Sequence, residues 1–314
     1  MKGTPRSLTD VKLNADYDLV PDGRDIGASV SPMATLAALS GPLNGFEAFD
    51  ALMKKFEDEN SYDPWEGDRA FPLSRLDDAL QLIIFGSYKG GGGKSTSCVS
   101  FVERLLRAGR YPLVIEADPE QTEVGDTFKK DNRLRVLERP LDDREGMGLL
   151  ATIMEKQLPL VVVNAPGGLT EPFEKFGGAL RFALKSYGYR FTMFWLLNSQ
   201  DQVVESLEAF WKAMPSAIVH PIINLKESEN HKLRDFGDYI DHDIRSRVEK
   251  QGRTLIMPLG PMAIMNQMAK RNLPFGKLCA DDSYDALSRA DLETWLAKMW
   301  REFERVIDFG ASPK

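Results

Sequence analysis

From residue 81 onward, short runs of apolar residues alternate with longer segments whose apolar residues recur every three or four positions. The short runs predict buried strands at 82–85, 111–117, 134–137, 159–163, 189–197, 217–223 and 255–259. The longer segments predict helices at 94–108, 147–156, 201–214 and 262–271. This alternation indicates an α/β fold with a mostly parallel, doubly wound sheet that is flanked by helices.

Residues 1–80 follow a different pattern and are predicted to form an N-terminal extension ahead of a domain over 81–314. Residues 1–33 are polar and have no clear period, whereas 34–39 and 45–59 predict helices and 60–75 a loop with Trp65 and Phe71. The extension holds 8 basic and 15 acidic residues, so it accounts for the whole net charge of −7. We interpret it either as packing on the domain or as a docking site for a protein partner.

The most informative segment joins the strand at 82–85 to the helix at 94–108. It contains four consecutive glycines, Gly90, Gly91, Gly92 and Gly93, followed by Lys94, Ser95 and Thr96. Glycines let backbone N–H groups turn inward around an anion, lysine adds charge, and serine offers a hydroxyl to Mg²⁺. A flexible linker is the alternative, but linkers do not connect a buried strand to an amphipathic helix. The segment therefore predicts a phosphate-binding loop.

Two further groups of polar residues follow predicted strands. Asp118 comes directly after the strand at 111–117, and Asn164 after the strand at 159–163, where it starts the sequence Asn-Ala-Pro-Gly-Gly. The carboxyl ends of parallel strands meet at one edge of the sheet, so both should lie near the phosphate loop. For Asp118, a role in a turn or a helix cap is the alternative.

Together these motifs resemble the ParA/MinD family of deviant phosphate-loop ATPases. Tyr88 stands where the ordinary loop has its first glycine, and Lys89 precedes the glycines to give Lys-Gly-Gly-x-Gly-Lys-Ser-Thr over 89–96. The resemblance extends from 81 to about 300 and does not cover 1–80. The Leu-Pro-Phe segment at 273–275 looks most like the ATPases that accompany plasmid conjugation and mobilisation.

The resemblance implies that ATP and Mg²⁺ are the cofactors and that the chain forms a homodimer on ATP binding. In such a dimer Lys89 reaches the partner's nucleotide; a solvated surface lysine is the alternative. Asp118 helps to place the attacking water, and Asn224 and Pro258 lie at adenine. The implied metal-site residues are Ser95, Asp118 and Asn164. The family has an acid where this chain has Asn164, so two functions stay open: a slow ATPase switch and a nucleotide-binding scaffold with negligible hydrolysis.

Charge and composition restrict the partners. Non-specific DNA binding, if it occurs, should use a group of basic residues late in the chain: Arg245, Arg247, Lys250, Arg253, Lys270, Arg271 and Lys277. The amphipathic pattern at 288–307 has both signs of charge on its polar face, which favours core or dimer packing over membrane binding. No run of about 18 apolar residues and no signal-peptide pattern is found, and the two cysteines form no motif, so we expect a cytoplasmic protein.

Overall fold

The computed structural model describes residues 73–198, 202–228 and 230–310. The helices predicted at 34–39 and 45–59, and the residues Trp65 and Phe71, lie outside these ranges. The division of the chain into an extension and a domain stays a prediction.

A parallel sheet of seven strands forms the centre of the described structure. Its strands lie in the order β4-β3-β5-β2-β6-β7-β8, so the strand that precedes the glycines is central. Their bounds are β2 Leu80–Ser87, β3 Leu113–Glu116, β4 Arg135–Glu138, β5 Leu160–Gly167, β6 Tyr189–Leu197, β7 Ile218–Asn224 and β8 Leu255–Met257. The predicted doubly wound α/β fold is therefore confirmed.

Helices cover both faces of this sheet. The longer ones are α1 Lys94–Arg107, α3 Arg144–Glu155, α4 Thr170–Tyr187, α5 Gln202–Ala213 and α11 Ala286–Glu304. The shorter ones are α2 Glu123–Phe128, α6 Gly237–Ile240, α7 Asp243–Val248, α8 Met262–Met265, α9 Gln267–Arg271 and α10 Phe275–Cys279. Two 3₁₀ turns, Leu225–Glu227 and Leu233–Phe236, follow β7.

Strand β2 shows why the predicted runs are apolar throughout. Leu82 and Ile84 belong to the core on one face of the sheet, while Ile83 and Phe85 belong to the core on the other. Successive side chains of a strand point to opposite faces, so a strand covered on both sides needs apolar residues at every position. On the second face, Phe85 stacks on Phe194 with ring centroids 4.9 Å apart.

Helix α11 buries the apolar face predicted at 288–307. Leu292, Trp295, Leu296, Met299 and Phe303 are all buried in the core. The helix begins earlier than predicted because Asp285 caps it, accepting from the backbone N–H of Ser288 at 2.9 Å. It ends at Glu304, and Ile307 instead lies in a strand. No helix in the described part of the chain is both long and apolar enough to cross a membrane.

Other boundaries also differ from the predictions. The segment 262–271 forms two short helices, α8 and α9, that meet at Asn266, where one was predicted. Helix α4 was not predicted, because Gly177 and Gly178 interrupt its apolar pattern. Gly177 has a packing role: a Cβ there would lie 3.1 Å from Met214 Sδ and 3.3 Å from the carbonyl oxygen of Ala213.

A second, two-stranded sheet joins distant parts of the chain. Strand β1, Ser74–Arg75, pairs in parallel with β9, Ile307–Asp308, and Leu76 is buried in the adjoining core. Arg110 adds an ion pair to Asp77. Residues 74–77, which belong to the predicted extension, therefore pack against the end of the described chain.

Candidate nucleotide-binding site

The glycine loop turns between β2 and α1 as the sequence predicts. Gly91 and Gly93 have φ values of 81° and 90°, in the left-handed region that favours glycine. A Cβ on Gly93 would also lie 2.6 Å from Met257 Cε and 2.8 Å from Asn224 Nδ2. At Gly90, in contrast, a Cβ would meet nothing within 4 Å. Two of the four glycines are therefore required by backbone conformation, and Gly93 by packing as well.

Neighbouring strand ends hold the loop in place. The Ser87 hydroxyl donates to the carbonyl oxygen of Lys89 at 2.6 Å, and Gly168 N–H donates to the carbonyl oxygen of Tyr88 at 2.9 Å. Gly167 packs so closely on the loop that a Cβ there would lie 2.7 Å from the nitrogen of Gly90. The glycines of the sequence Asn-Ala-Pro-Gly-Gly, which are the last residue of β5 and the residue after it, thus support the loop.

Lys94 and Ser95 form the first turn of α1 and are both buried. Among the described residues no side chain caps this helix start, and its first turn contains no acidic residue, so its first N–H groups and its dipole remain available to an anion. Burial lowers the pKa of Lys94, while the charges of Asp118, Glu116 and Glu123 act in the opposite direction. Lys89, at the other end of the loop, is exposed.

Asp118 lies just beyond the end of β3 and is 7% exposed. Its Oδ1 accepts from the backbone N–H groups of Glu120 at 3.1 Å and Gln121 at 3.2 Å. The carboxylate therefore shapes the turn after β3, as the alternative interpretation expected. This does not remove it from the site, because its charge acts on Lys94.

Glu116, the last residue of β3, was not predicted to belong to the site. It is 2% exposed, and burial raises the pKa of its carboxyl to about 7. Asn164, beside it on β5, is fully buried and donates from Nδ2 to Glu116 Oε1 at 2.8 Å. A signal for Glu116 was present, since a carboxylate inside an apolar strand needs a partner.

One cavity of about 320 Å³ brings together most of the predicted nucleotide-site residues. Its polar wall contains the loop and the start of α1, and Asn224 and Pro258 line the same space. The Trp295 indole donates to the carbonyl oxygen of Pro258 at 2.9 Å and holds that segment against α11. The remaining wall is rich in methionine, with Met257, Met262, Met265 and Met268, and it also includes the polar residues Gln121, Glu123, Lys226 and Asn266.

Three side chains near the glycine loop have the chemistry that suits a magnesium ion. Ser95 offers a hydroxyl, Asp118 a carboxylate, and Asn164 a carbonyl oxygen that is buried without a hydrogen-bond partner among the described residues. Mg²⁺ takes oxygen ligands and keeps several of its bound waters. The oxygen atoms of these side chains suit either the ion itself or a hydrogen bond from one of its waters. The loop region thus has oxygen atoms that suit a cation, in addition to the N–H groups and the lysine that suit an anion.

The two lysines stand on either side of the glycines, and Lys89 is exposed whereas Lys94 is buried. No family model matches the chain, whose loop sequence over 89–96 resembles that of ParA/MinD ATPases. It is similar to protein MobD of Acidithiobacillus ferrooxidans, with 27% identity over 175 residues, which span 55% of this chain and 75% of MobD.

The chain is also similar to solved structures, and one of these is a plasmid partition protein of Borrelia burgdorferi B31 bound to AMPPNP. It is 15% identical, the match covers 71% of this chain and 99% of that one, and the TM-score is 0.44. The MinD cell division protein of Aquifex aeolicus in its complex with MinC is 16% identical, the match covers 75% and 100%, and the TM-score is again 0.44.

Proposed function

We propose that this protein is an ATP-dependent dimerisation switch that positions or segregates DNA or another macromolecular cargo through slow, partner-stimulated ATP hydrolysis. The observation that supports this most is the glycine loop at the start of α1, held by Ser87 and Gly168, with buried Lys94 beside a cavity of about 320 Å³. The similarity to MobD supports a role in plasmid mobilisation, which the Leu-Pro-Phe segment also suggested.

Different residues of the site are proposed to bind the phosphates, the base and the metal ion. The loop N–H groups and Lys94 bind the phosphates, and the methionine-rich wall with Asn224 and Pro258 accommodates the base. Ser95, Asp118 and Asn164 would hold Mg²⁺ directly or through its waters, and the ion would neutralise phosphate charge. Lys89 would extend to the partner's nucleotide in the dimer.

A nucleotide-binding scaffold with negligible hydrolysis is the second candidate. It is favoured by Asn164, because an amide at this strand end brings no negative charge to the metal side of the site. Both candidates bind nucleotide, and they differ in turnover. Release of phosphate by the wild-type chain, lost in Asp118→Ala, supports the switch, whereas the scaffold expects no turnover in either protein.

The binding step common to both candidates depends on Lys94. Isothermal titration of Lys94→Ala with Mg²⁺ and ATP should show affinity reduced at least tenfold, about 1.4 kcal/mol, because the phosphates lose their buried cation. The matched control is Lys175→Ala, an exposed lysine of α4 paired with Glu171. Equal affinity in all three proteins would overturn the phosphate-loop assignment.

A further inference from the structure

Two buried side chains, a carboxyl group and an amide, lie next to each other where β3 ends beside β5. Glu116 and Asn164 are direct neighbours in the sheet register, and they are 2% and 0% exposed. They are joined by the 2.8 Å hydrogen bond from Asn164 Nδ2 to Glu116 Oε1. An acid on β3 thus faces the amide on β5, one strand away from where the resemblance places an acid.

The surroundings of Glu116 are built for a carboxylate. Its Oε1 also accepts from Asp118 N–H at 3.2 Å, and its Oε2 accepts from the N–H groups of Val124 and Gly125, both at 3.0 Å. All four partners are donors, which suits an acceptor-only group. Gly125 permits the approach of α2, since a Cβ there would lie 3.1 Å from Glu116 Cβ.

This arrangement fixes the orientation of the Asn164 amide. With Nδ2 directed to Glu116, the remaining atom is Oδ1, which is buried and has no partner among the residues that the structure describes. A buried acceptor without a donor is destabilising, so a ligand that donates to Oδ1 would satisfy it. Nδ2 is also 3.5 Å from Ser95 Oγ, the loop hydroxyl on the metal side.

We infer that Glu116 is a positioning residue of the metal-facing half of the site: it holds Asn164 so that Oδ1 accepts from a water of bound Mg²⁺. This inference rests on the proposed function, because it needs nucleotide and metal to bind at the loop. The competing explanation is that the pair only ties β3 to β5.

The ratio of ATP affinities with Mg²⁺ and with EDTA separates these explanations. In Glu116→Gln the amide of residue 116 competes with Asn164 Nδ2 as a donor, so the ratio should fall at least fivefold. Asn164→Ala leaves Glu116 its three backbone donors, removes the metal-facing oxygen, and should lower the ratio as far. Adding Glu116→Gln to Asn164→Ala should lower it no further, because Glu116 acts through Asn164.

Exchanging the two groups gives an independent arm. In Glu116→Gln/Asn164→Asp the glutamine can donate a hydrogen bond to the new carboxylate, whose second oxygen then faces the metal. The ratio of ATP affinities with Mg²⁺ and with EDTA should therefore return to the wild-type value or above. The matched control is Glu103→Gln, a second buried carboxylate that accepts from two backbone N–H groups, at Phe275 and Gly276. Its effect should simply add to that of Asn164→Asp.

Urea unfolding without nucleotide provides the second measurement. A lower urea midpoint in Glu116→Gln with an unchanged Mg²⁺ ratio would overturn the inference and leave a purely structural pair. An unchanged ratio in Asn164→Ala would overturn it equally, even if Glu116→Gln failed to fold. If the wild-type chain itself bound no ATP, the proposed function would fall first, so the two failures are distinguishable.

Discussion

The side chain of Asn224 donates from Nδ2 to the carbonyl oxygen of Gly92 at 3.1 Å. Its Oδ1 accepts from the backbone N–H of Lys226, also at 3.1 Å. This residue was predicted to contact adenine, and it does line the cavity. The hydrogen bond from Nδ2, however, ties the end of β7 to the glycine loop.

Asn224→Ala should therefore weaken phosphate binding as well as nucleotide binding. Loss of one buried hydrogen bond is worth about 1 kcal/mol, or roughly fivefold in affinity. Titrations with ATP and with inorganic tripolyphosphate should lose affinity by the same factor. A loss restricted to ATP would show that Asn224 recognises adenine and does not support the loop. Asn230→Ala, an exposed asparagine bonded to Asp235, is the control.

Gly93 should be the least replaceable of the four loop glycines. Gly93→Ala places a side chain at φ 90° and within 2.8 Å of two other side chains, so the free energy of unfolding should fall by at least about 2 kcal/mol. Gly90→Ala has open space and should change it by less than about 1 kcal/mol. Urea unfolding of both variants measures the difference. Equal destabilisation would contradict the loop conformation.

The sequence was sufficient for the sheet and the loop because their signals are local. A run such as 82–85 is apolar at every position because both faces of β2 are covered, and glycines before Lys94 have a direct geometric meaning. The pairing of β1 with β9 could not be predicted, since each strand has two residues and they lie more than 200 positions apart. Glu116 was missed for a similar reason: its importance depends on Asn164, 48 positions later.

Dimer formation should depend on Lys89. This residue is exposed at the start of the loop, and the proposed function uses it only across an interface. Sedimentation with Mg²⁺ and a non-hydrolysable ATP analogue should show a dimer for the wild type and a monomer for Lys89→Ala. The control is Lys130→Ala, which replaces an exposed lysine two residues after the end of α2 and should behave as wild type. Identical behaviour of wild type and Lys89→Ala would remove the main support for the two-lysine loop.

Glu103 should make stability depend on pH. Burial raises the pKa of its carboxyl from an ordinary 4.5 to about 7. Between these values the folded chain holds a proton that the unfolded chain has lost, so stability falls as pH rises, by up to about 1.4 kcal/mol per unit. Above pH 7 both states are ionised and this contribution is constant.

Glu103→Gln should flatten this dependence between pH 5 and 7. Glu116 contributes a slope of the same sign, and His220, whose pKa burial lowers to about 3, contributes one of opposite sign. The difference between variant and wild type therefore isolates Glu103. Urea unfolding at pH 5.5, 6.5 and 8 provides the measurement, with the surface variant Glu304→Gln as control. Parallel curves for Glu103→Gln and wild type would show that Glu103 does not titrate in this range.

The final prediction concerns DNA and the acidic extension. Several of the predicted basic residues are already neutralised: Arg245 pairs with Glu249, Arg247 with Glu208 and Asp243, and Arg271 with Asp281. Lys250, Lys270 and Lys277 are exposed and have no such ion pair in the described chain. DNA retention that needs ATP should therefore weaken in Lys270→Glu/Lys277→Glu, and it should weaken steeply with salt.

Removing the extension tests whether its negative charge competes with DNA for these lysines. Deletion of residues 1–72 keeps β1 and its pairing with β9, whereas a longer deletion through 75 would remove that strand. If the acidic residues act as an electrostatic gate, the shortened chain should bind DNA more tightly in a gel shift and with a steeper salt dependence. Unchanged binding by a folded chain would reject the gate and leave the extension as a protein-docking segment. Unfolding of the shortened chain would instead show that the extension packs on the domain. A pull-down with the full-length protein would then be the way to find a protein partner of the extension.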